Sequence, residues 1–118
     1  MRRVEKPWGH EIIWAETDRY VGKILHIKAG GQLSLQYHQR KMETILVSSG
    51  KMTFEFFRDG EQLQQKVLAK GESFHITPGL RHRMIAIEDT DVFEVSTPDL
   101  DDVVRLEDAY GRAGTSKA

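Results

Sequence analysis

Residues 30–50 of this 118-residue chain read GGQLSLQYHQRKMETILVSSG. Apolar and polar residues alternate strictly over 33–38, which is typical of a β-strand whose successive side chains point to opposite faces. Gln36 and His38 are therefore expected to share one face of that strand. The apolar run over 43–49 predicts a second strand after a short link. The segment thus predicts two adjoining strands with polar side chains where they meet.

The rest of the chain also consists of short segments, because glycine and proline interrupt it at short intervals. The runs between these breaks are rich in Ile, Val, Leu, Phe and Thr, and residues 58–61 predict a hairpin turn. About nine strands are predicted, over 10–15, 20–28, 33–38, 43–49, 51–57, 62–68, 73–77, 82–87 and 91–96. Short strands at this spacing predict an all-β sandwich or barrel. The tail from Thr97 is expected to be irregular or to hold a helical turn with Pro98 in its first position, and 110–118 to be flexible.

The composition narrows the function classes. Hydrophobic residues make up 39% and charged residues 30%, which argues against disorder. No apolar run approaches the roughly 20 residues of a transmembrane helix, and no apolar signal core is present at the start. The absence of cysteine excludes thiol catalysis and disulfides. A net charge of −1 gives no excess of positive charge with which to bind nucleic acid or an anionic membrane. We expect one domain over residues 1–118, without nucleic-acid or membrane partners, in the cytoplasm.

Four polar residues form a candidate metal site. A hairpin through the link after His38 would bring Glu43 beside Gln36, and an antiparallel fold could place His82, at the start of a later strand, opposite them. One amide oxygen, two imidazoles and one carboxylate suit a divalent first-row metal such as Zn, Mn, Fe, Co or Ni. Open positions on that ion could polarise a substrate oxygen or activate water. Strand histidines are more often structural or exposed, so the spacing alone leaves metal binding open.

The spacing of these residues resembles the two motifs of the cupin family. The first motif is matched by Gly30, Gln36, His38, Glu43 and Gly50, with Gln36 where a histidine is usual. The second is matched by the stretch from Gly71 through Pro78-Gly79 to His82. The resemblance implies a cupin-type double-stranded β-helix, a jelly-roll barrel, with one divalent metal ion held by Gln36, His38, Glu43 and His82.

Three blocks are also similar to the C-terminal domain of type II mannose-6-phosphate isomerases: Lys6–Gly9, Leu33–His38 and Val103–Arg112. This likeness implies a metal-dependent enzyme of carbohydrate metabolism that interconverts aldose and ketose forms of a sugar phosphate. It also implies a homodimer. A non-catalytic cupin that binds a small sugar or acid, a cupin oxygenase or lyase, and a barrel without metal remain open alternatives.

Isomerisation would need further residues. A general base with a pKa near neutral must move a proton between adjacent carbons, and His75 and Lys23 are the candidates. A phosphate group would be bound by basic side chains, for which Lys41, Arg105 and Arg112 are the candidates. Ordinary surface roles for these residues are the alternative.

Overall fold

The computed structural model describes residues 1–58, 62–111 and the backbone of 114–115. Over these residues the chain forms twelve β-strands and no helix, and hence none long and apolar enough to cross a membrane. The strands are β1 (Arg2–Lys6), β2 (Gly9–Glu16), β3 (Val21–Ile27), β4 (Leu35–Tyr37), β5 (Glu43–Ser49), β6 (Lys51–Arg58), β7 (Gln62–Ala69), β8 (Ser73–Ile76), β9 (His82–Ala86), β10 (Thr90–Ser96), β11 (Val104–Glu107) and β12 (Gly114–Thr115).

The strands form two six-stranded sheets that pack against each other. The order is β1-β2-β3-β10-β5-β8 in the first sheet and β12-β11-β4-β9-β6-β7 in the second, and neighbours run antiparallel. The predicted all-β architecture is confirmed.

The apolar core lies between the two sheets. In β6 the alternation places Met52, Phe54 and Phe56 inward, as predicted, with exposed fractions of 0%, 0% and 6%. They pack with inward residues of the first sheet, such as Ile27 and Ile45. Because the inward side chains of both sheets meet in this core, it holds the two sheets face to face.

The turn between β5 and β6 carries the chain from the first sheet to the second, and Gly50 is its single linking residue. Its φ angle of +86° is one that side chains disfavour. A Cβ atom here would lie 2.2 Å from the carbonyl oxygen of Asp89. We therefore attribute the glycine at this position to both the backbone angle and the close approach of a second chain segment.

The C-terminal region differs from the prediction. No helical turn forms after Thr97, because its backbone N–H donates to the carbonyl of Met42 at 3.0 Å and ties the segment to the first sheet. Strand β11 then pairs with β4 and extends the second sheet, and β1 is a further strand that was not predicted. Residues 59–61 of the predicted hairpin turn, and 112–113 and 116–118 of the predicted tail, lie outside the described residues.

Candidate metal centre

Three predicted ligand residues meet inside one end of the sandwich. His38 follows β4, Glu43 begins β5 and His82 begins β9, so three strand ends supply them. One donor atom from each lies within 4.8 Å of the others. Oε1 of Glu43 lies 3.4 Å from Nε2 of His38 and 3.7 Å from Nε2 of His82. All three side chains are buried, with residue exposures of 3%, 3% and 0%.

Both imidazoles are held by their other ring nitrogen. Nδ1 of His38 lies 2.6 Å from the carbonyl oxygen of Asp102, and Nδ1 of His82 lies 2.9 Å from that of Leu80. Because a carbonyl only accepts, each Nδ1 carries a proton, so Nε2 is the nitrogen that presents a lone pair in the neutral ring. Burial lowers the pKa of His82 to about 4, despite the attraction of Glu43, so this ring is neutral at pH 7.

The two Nε2 atoms are buried without a hydrogen-bond partner among the described residues. A buried polar atom without a partner is unfavourable and points to a group that would satisfy it. Two imidazole nitrogens and a carboxylate are donors that fit a divalent metal ion. Burial raises the pKa of Glu43, but Lys41 and the two rings lower it more, so the group stays ionised.

Gln36 lies beside this cluster. It pairs directly with His82 across β4 and β9, so the two side chains leave the same face of the second sheet. It is half-buried and lines a cavity together with His38 and Glu43. Its Oε1 accepts a hydrogen bond from the hydroxyl of Ser34 at 3.1 Å. Its part as a fourth ligand stays a prediction.

Lys41 binds two buried carboxylates at the edge of the cluster. Its Nζ lies 3.0 Å from Oε2 of Glu43 and 3.2 Å from Oε2 of Glu94. Burial lowers the pKa of Lys41, but the attraction of both carboxylates outweighs it and the pKa lies above its usual range. Burial and repulsion by Glu43 raise the pKa of Glu94. The lysine thus compensates charge that would otherwise be unpaired inside the protein.

The centre lies beside a cavity of about 50 Å³ that His38 and Glu43 help to line. On its far wall, Nζ of Lys23 lies 3.3 Å from Oε1 of Glu11, and Nζ of Lys6 lies 4.0 Å from the same oxygen. The ionisable groups lining the cavity, apart from its histidine, are Lys6, Lys23, Lys41, Arg105, Glu11, Glu43 and Glu94. Four cations against three carboxylates leave one formal positive charge before any metal is added.

The remaining predicted residues are placed apart from one another. Lys23 and Arg105 line the cavity and are buried, with exposures of 3% and 7%. His75 does not: it is exposed on β8, and its Nδ1 lies 2.9 Å from the hydroxyl of Thr44 on the outer face of the first sheet. Arg112 lies outside the described residues.

Three acidic residues of the site were not predicted. Glu94 lies between two apolar neighbours that face outward, so the pattern of its strand did not tell the inner face from the outer one. Glu11 shares its inward face with Ile13, which was the only local indication. Asp102 lies outside any strand, and nothing in its neighbourhood along the chain marks it.

Comparisons with known proteins agree with this arrangement. A family model described as a cupin domain matches residues 23–96, and the chain therefore belongs to the cupin family. The chain is 35% identical over 116 residues to the xanthan biosynthesis protein XanB of Xanthomonas campestris pv. campestris. The aligned region covers 94% of this chain and 24% of XanB. It is 34% identical over 116 residues to the mannose-1-phosphate guanylyltransferase of Escherichia coli strain K12, with 94% and 23% covered.

The chain spans about a quarter of the length of these curated relatives. The fold is also similar to that of the capsular polysaccharide assembling protein CapF from Staphylococcus aureus, with a TM-score of 0.74 and 23% identity over 91% of this chain and 34% of CapF. The predicted resemblance to the cupin part of type II mannose-6-phosphate isomerases is confirmed. The chain is a cupin domain related to enzymes of sugar-phosphate metabolism.

Proposed function

We propose that this chain is a metal-dependent cupin that acts on a sugar phosphate, and that its reaction is the aldose–ketose isomerisation of mannose 6-phosphate. The observation that carries the proposal is the pair of buried, unpartnered Nε2 atoms of His38 and His82 on either side of Glu43. His38 and Glu43 line a cavity with an excess of cationic side chains. The names of the curated relatives, which are sugar-nucleotide and polysaccharide proteins, support the substrate class.

In this proposal Gln36, His38, Glu43 and His82 hold one divalent ion, for which Zn, Mn, Fe, Co and Ni all suit the donors. When bound, such an ion polarises the hydroxyl and carbonyl oxygens of a sugar. The protein contributes a neutral His82 imidazole and an ionised Glu43 carboxylate at neutral pH, so these two ligands need not lose protons to bind.

The charge of the cavity supports an anionic substrate. With a divalent ion added, one formal positive charge becomes three, and a phosphate dianion would reduce it to one. Arg105, buried on the wall, is the residue to which we assign the phosphate, because its guanidinium can bind two oxygens at once. Lys41 would contribute by its charge, since its ammonium is already bound by two carboxylates.

Isomerisation breaks the C2–H bond of the aldose and forms a new C1–H bond, while the proton of the C2 hydroxyl moves to the C1 oxygen, so there is no net oxidation. Lys23 was predicted as a candidate base, and in the structure it forms an ion pair with Glu11 within the cavity. We assign the transferred proton to this pair: the Glu11 carboxylate accepts it, and Lys23 stabilises that carboxylate beside the substrate. His75 is left out of the proposed chemistry because it lies outside the cavity.

The test is an assay of purified protein loaded with each metal in turn, with mannose 6-phosphate as substrate and fructose 6-phosphate as the measured product. Metal content is determined on the same samples. Turnover that is lost in Glu11→Gln at unchanged metal content supports both the reaction and the proton assignment. No turnover at full metal occupancy contradicts the isomerase. Tight binding of mannose 6-phosphate without turnover would favour the ligand-binding cupin, and oxygen uptake by the iron-loaded protein would favour an oxygenase.

We further propose that the chain forms a homodimer through the outer face of its first sheet, and that it works in the cytoplasm. Over β2, β3, β10, β5 and β8, two cross-strand rows on this face carry no charged residue, and β10 crosses both; Arg3 of β1 stands next to Ile12 at the end of one row. The two rows consist of Ile12, Ile24, Phe93, Leu46 and Ser73, and of Ala15, Gly22, Val95, Thr44 and His75, with the ring of Trp14 packed over Gly22. Four of these side chains are large, apolar and more than a third exposed: Trp14 at 48%, Leu46 at 38%, Phe93 at 43% and Val95 at 52%.

A second copy is the partner that this face fits best, because a like face brings apolar side chains against the apolar rows, and Arg3 at the edge is already paired with Glu5 at 2.7 Å. Five strands of about seven residues cover roughly 500 Å² of flat sheet, and the side-chain relief enlarges that surface toward the roughly 800 Å² per partner of a stable dimer. The outer face of the second sheet is a poorer candidate, since Glu55 and Arg83 form an ion pair across its middle at 3.1 Å.

A further inference from the structure

Asp102 ties together two stretches of chain beside the metal centre. It lies in the segment between β10 and β11 and is 9% exposed. Its carboxylate accepts three successive backbone N–H groups, from Gln39 at 3.0 Å, Arg40 at 2.6 Å and Lys41 at 2.9 Å. Its own backbone carbonyl accepts the Nδ1 proton of His38 at 2.6 Å. One residue thus contacts His38 and all three residues that follow it.

These four contacts depend on one another. The carbonyl that orients the His38 ring and the carboxylate that binds the link over residues 39–42 belong to the same residue, Asp102. The position of the link therefore sets the orientation of the ring. Hydrogen bonds to an ionised carboxylate are stronger than those between neutral groups. Burial raises the pKa of Asp102, but the three N–H donors and the nearby Arg40 lower it more, so the carboxylate is ionised and holds the link at neutral pH.

The link has a second consequence, because it separates two predicted ligands. His38 stands at its beginning and Glu43 at its end, and Lys41 within it binds Glu43 at 3.0 Å. A carboxylate that fixes the backbone of 39–41 therefore fixes the spacing between the imidazole and the carboxylate of the centre. Fixed donors bind a metal better than mobile ones, since less order must be imposed on binding.

We propose that Asp102 is a positioning residue for the metal centre: it directs Nε2 of His38 at Glu43 and holds the two ligands at the separation that a divalent ion requires. This inference rests on the proposed metal site and goes beyond it, because Asp102 contributes no ligand atom itself. Asp102 lies in the segment that leads to β11, the strand of Arg105. Structural changes in that segment should therefore alter the affinity of the centre for its metal.

The test compares Asp102→Ala and Asp102→Asn with Asp101→Ala, which removes the same charge from the exposed neighbouring residue. Zn²⁺ affinity is measured by competition with a chromophoric chelator at a temperature where all variants are folded. Removing a group that hydrogen-bonds to a metal ligand typically weakens metal binding by about 10- to 100-fold. We expect that loss for Asp102→Ala, a smaller one for Asp102→Asn, which keeps one acceptor oxygen, and none for Asp101→Ala.

A second readout separates positioning from stability alone. In ¹⁵N NMR of the metal-free protein, His38 should carry its proton on Nδ1 in the wild type and become a mixture of tautomers in Asp102→Ala. If that variant does not fold, amide hydrogen exchange on the wild type decides, since the amides of residues 39–41 must be protected. Unprotected amides overturn the proposal. Equal Zn²⁺ affinity of folded Asp102→Ala and Asp101→Ala overturns it too, whereas a wild type that binds no metal overturns the proposed function instead.

Discussion

Replacing Lys41 with methionine removes the one charge that binds both Glu43 and Glu94. The two carboxylate contacts are 3.0 and 3.2 Å long, and the carboxylates are only 3% and 5% exposed. The substitution changes the formal charge of this group of three from −1 to −2 in a buried place. Removing one partner of a buried ion pair destabilises a protein by about 3–5 kcal/mol. We expect Lys41→Met to lose about 3 kcal/mol at pH 8 in the presence of a chelator.

The loss should depend on pH in a defined direction. Burial and repulsion by Glu43 already raise the pKa of Glu94, and removal of Lys41 raises it further. A carboxyl whose pKa is higher in the folded state than in the unfolded state destabilises the protein as pH rises through the folded pKa, and no longer does so below the unfolded pKa of about 4.5. The penalty in Lys41→Met is therefore larger at pH 8 than at pH 5.5.

Urea denaturation followed by tryptophan fluorescence at these two pH values measures both effects. Lys66→Met is the matched control, because Lys66 is exposed on β7 and its loss should change the free energy of unfolding by no more than about 0.5 kcal/mol. The double variant Lys41→Met/Glu94→Gln should recover at least half of the loss, since one carboxylate is gone. A Lys41→Met protein that matches Lys66→Met at pH 8, or loses the same amount at both pH values, would refute this reasoning.

Three further outcomes test other parts of the structure. His38→Ala should bind Zn²⁺ at least 10-fold more weakly than the wild type. His75→Ala, which removes an exposed imidazole, should bind it as the wild type does. Isothermal titration calorimetry measures both affinities. Val95→Lys should convert a dimer into a monomer by analytical ultracentrifugation, while Val67→Lys, equally exposed at 52% on the other sheet, should leave it dimeric; a monomeric wild type contradicts the proposed face. Burial lowers the pKa of His82 from 6.5 to about 4, so the unfolded chain takes up its proton first as pH falls. The metal-free protein should then lose about 3 kcal/mol of stability between pH 6.5 and 4, and a flat urea midpoint over that range would argue against a buried neutral ring.

Local patterns carried most of the fold. The alternation in β6 predicted that Met52, Phe54 and Phe56 share one face, because a strand places every second residue on the same side. The same rule placed Gln36 and His38 together and Glu43 at the start of the next strand. It did not help with β10, where Val92 and Phe93 are both apolar and only the packing of the sheets showed that Glu94 faces inward.

The segment after β10 shows where local reasoning was overruled. Thr97 and Pro98 favour the start of a helix by propensity alone, but Thr97 forms hydrogen bonds with Met42 in both directions, at 3.0 and 3.2 Å. Tertiary hydrogen bonds of this kind satisfy the backbone without a helix, and the chain continues into β11 instead.

The amino-acid sequence by itself determined strands β2 to β10 and the residue types of a metal site, because these follow from neighbours a few positions apart. Only the tertiary structure decided that two imidazoles keep free lone pairs, that Glu11 and Glu94 join the cavity, and that His75 does not. The physical reason is distance along the chain. The bond that orients the ring of His38 comes from Asp102, 64 residues later, and such a contact exists only once the two sheets have closed on each other.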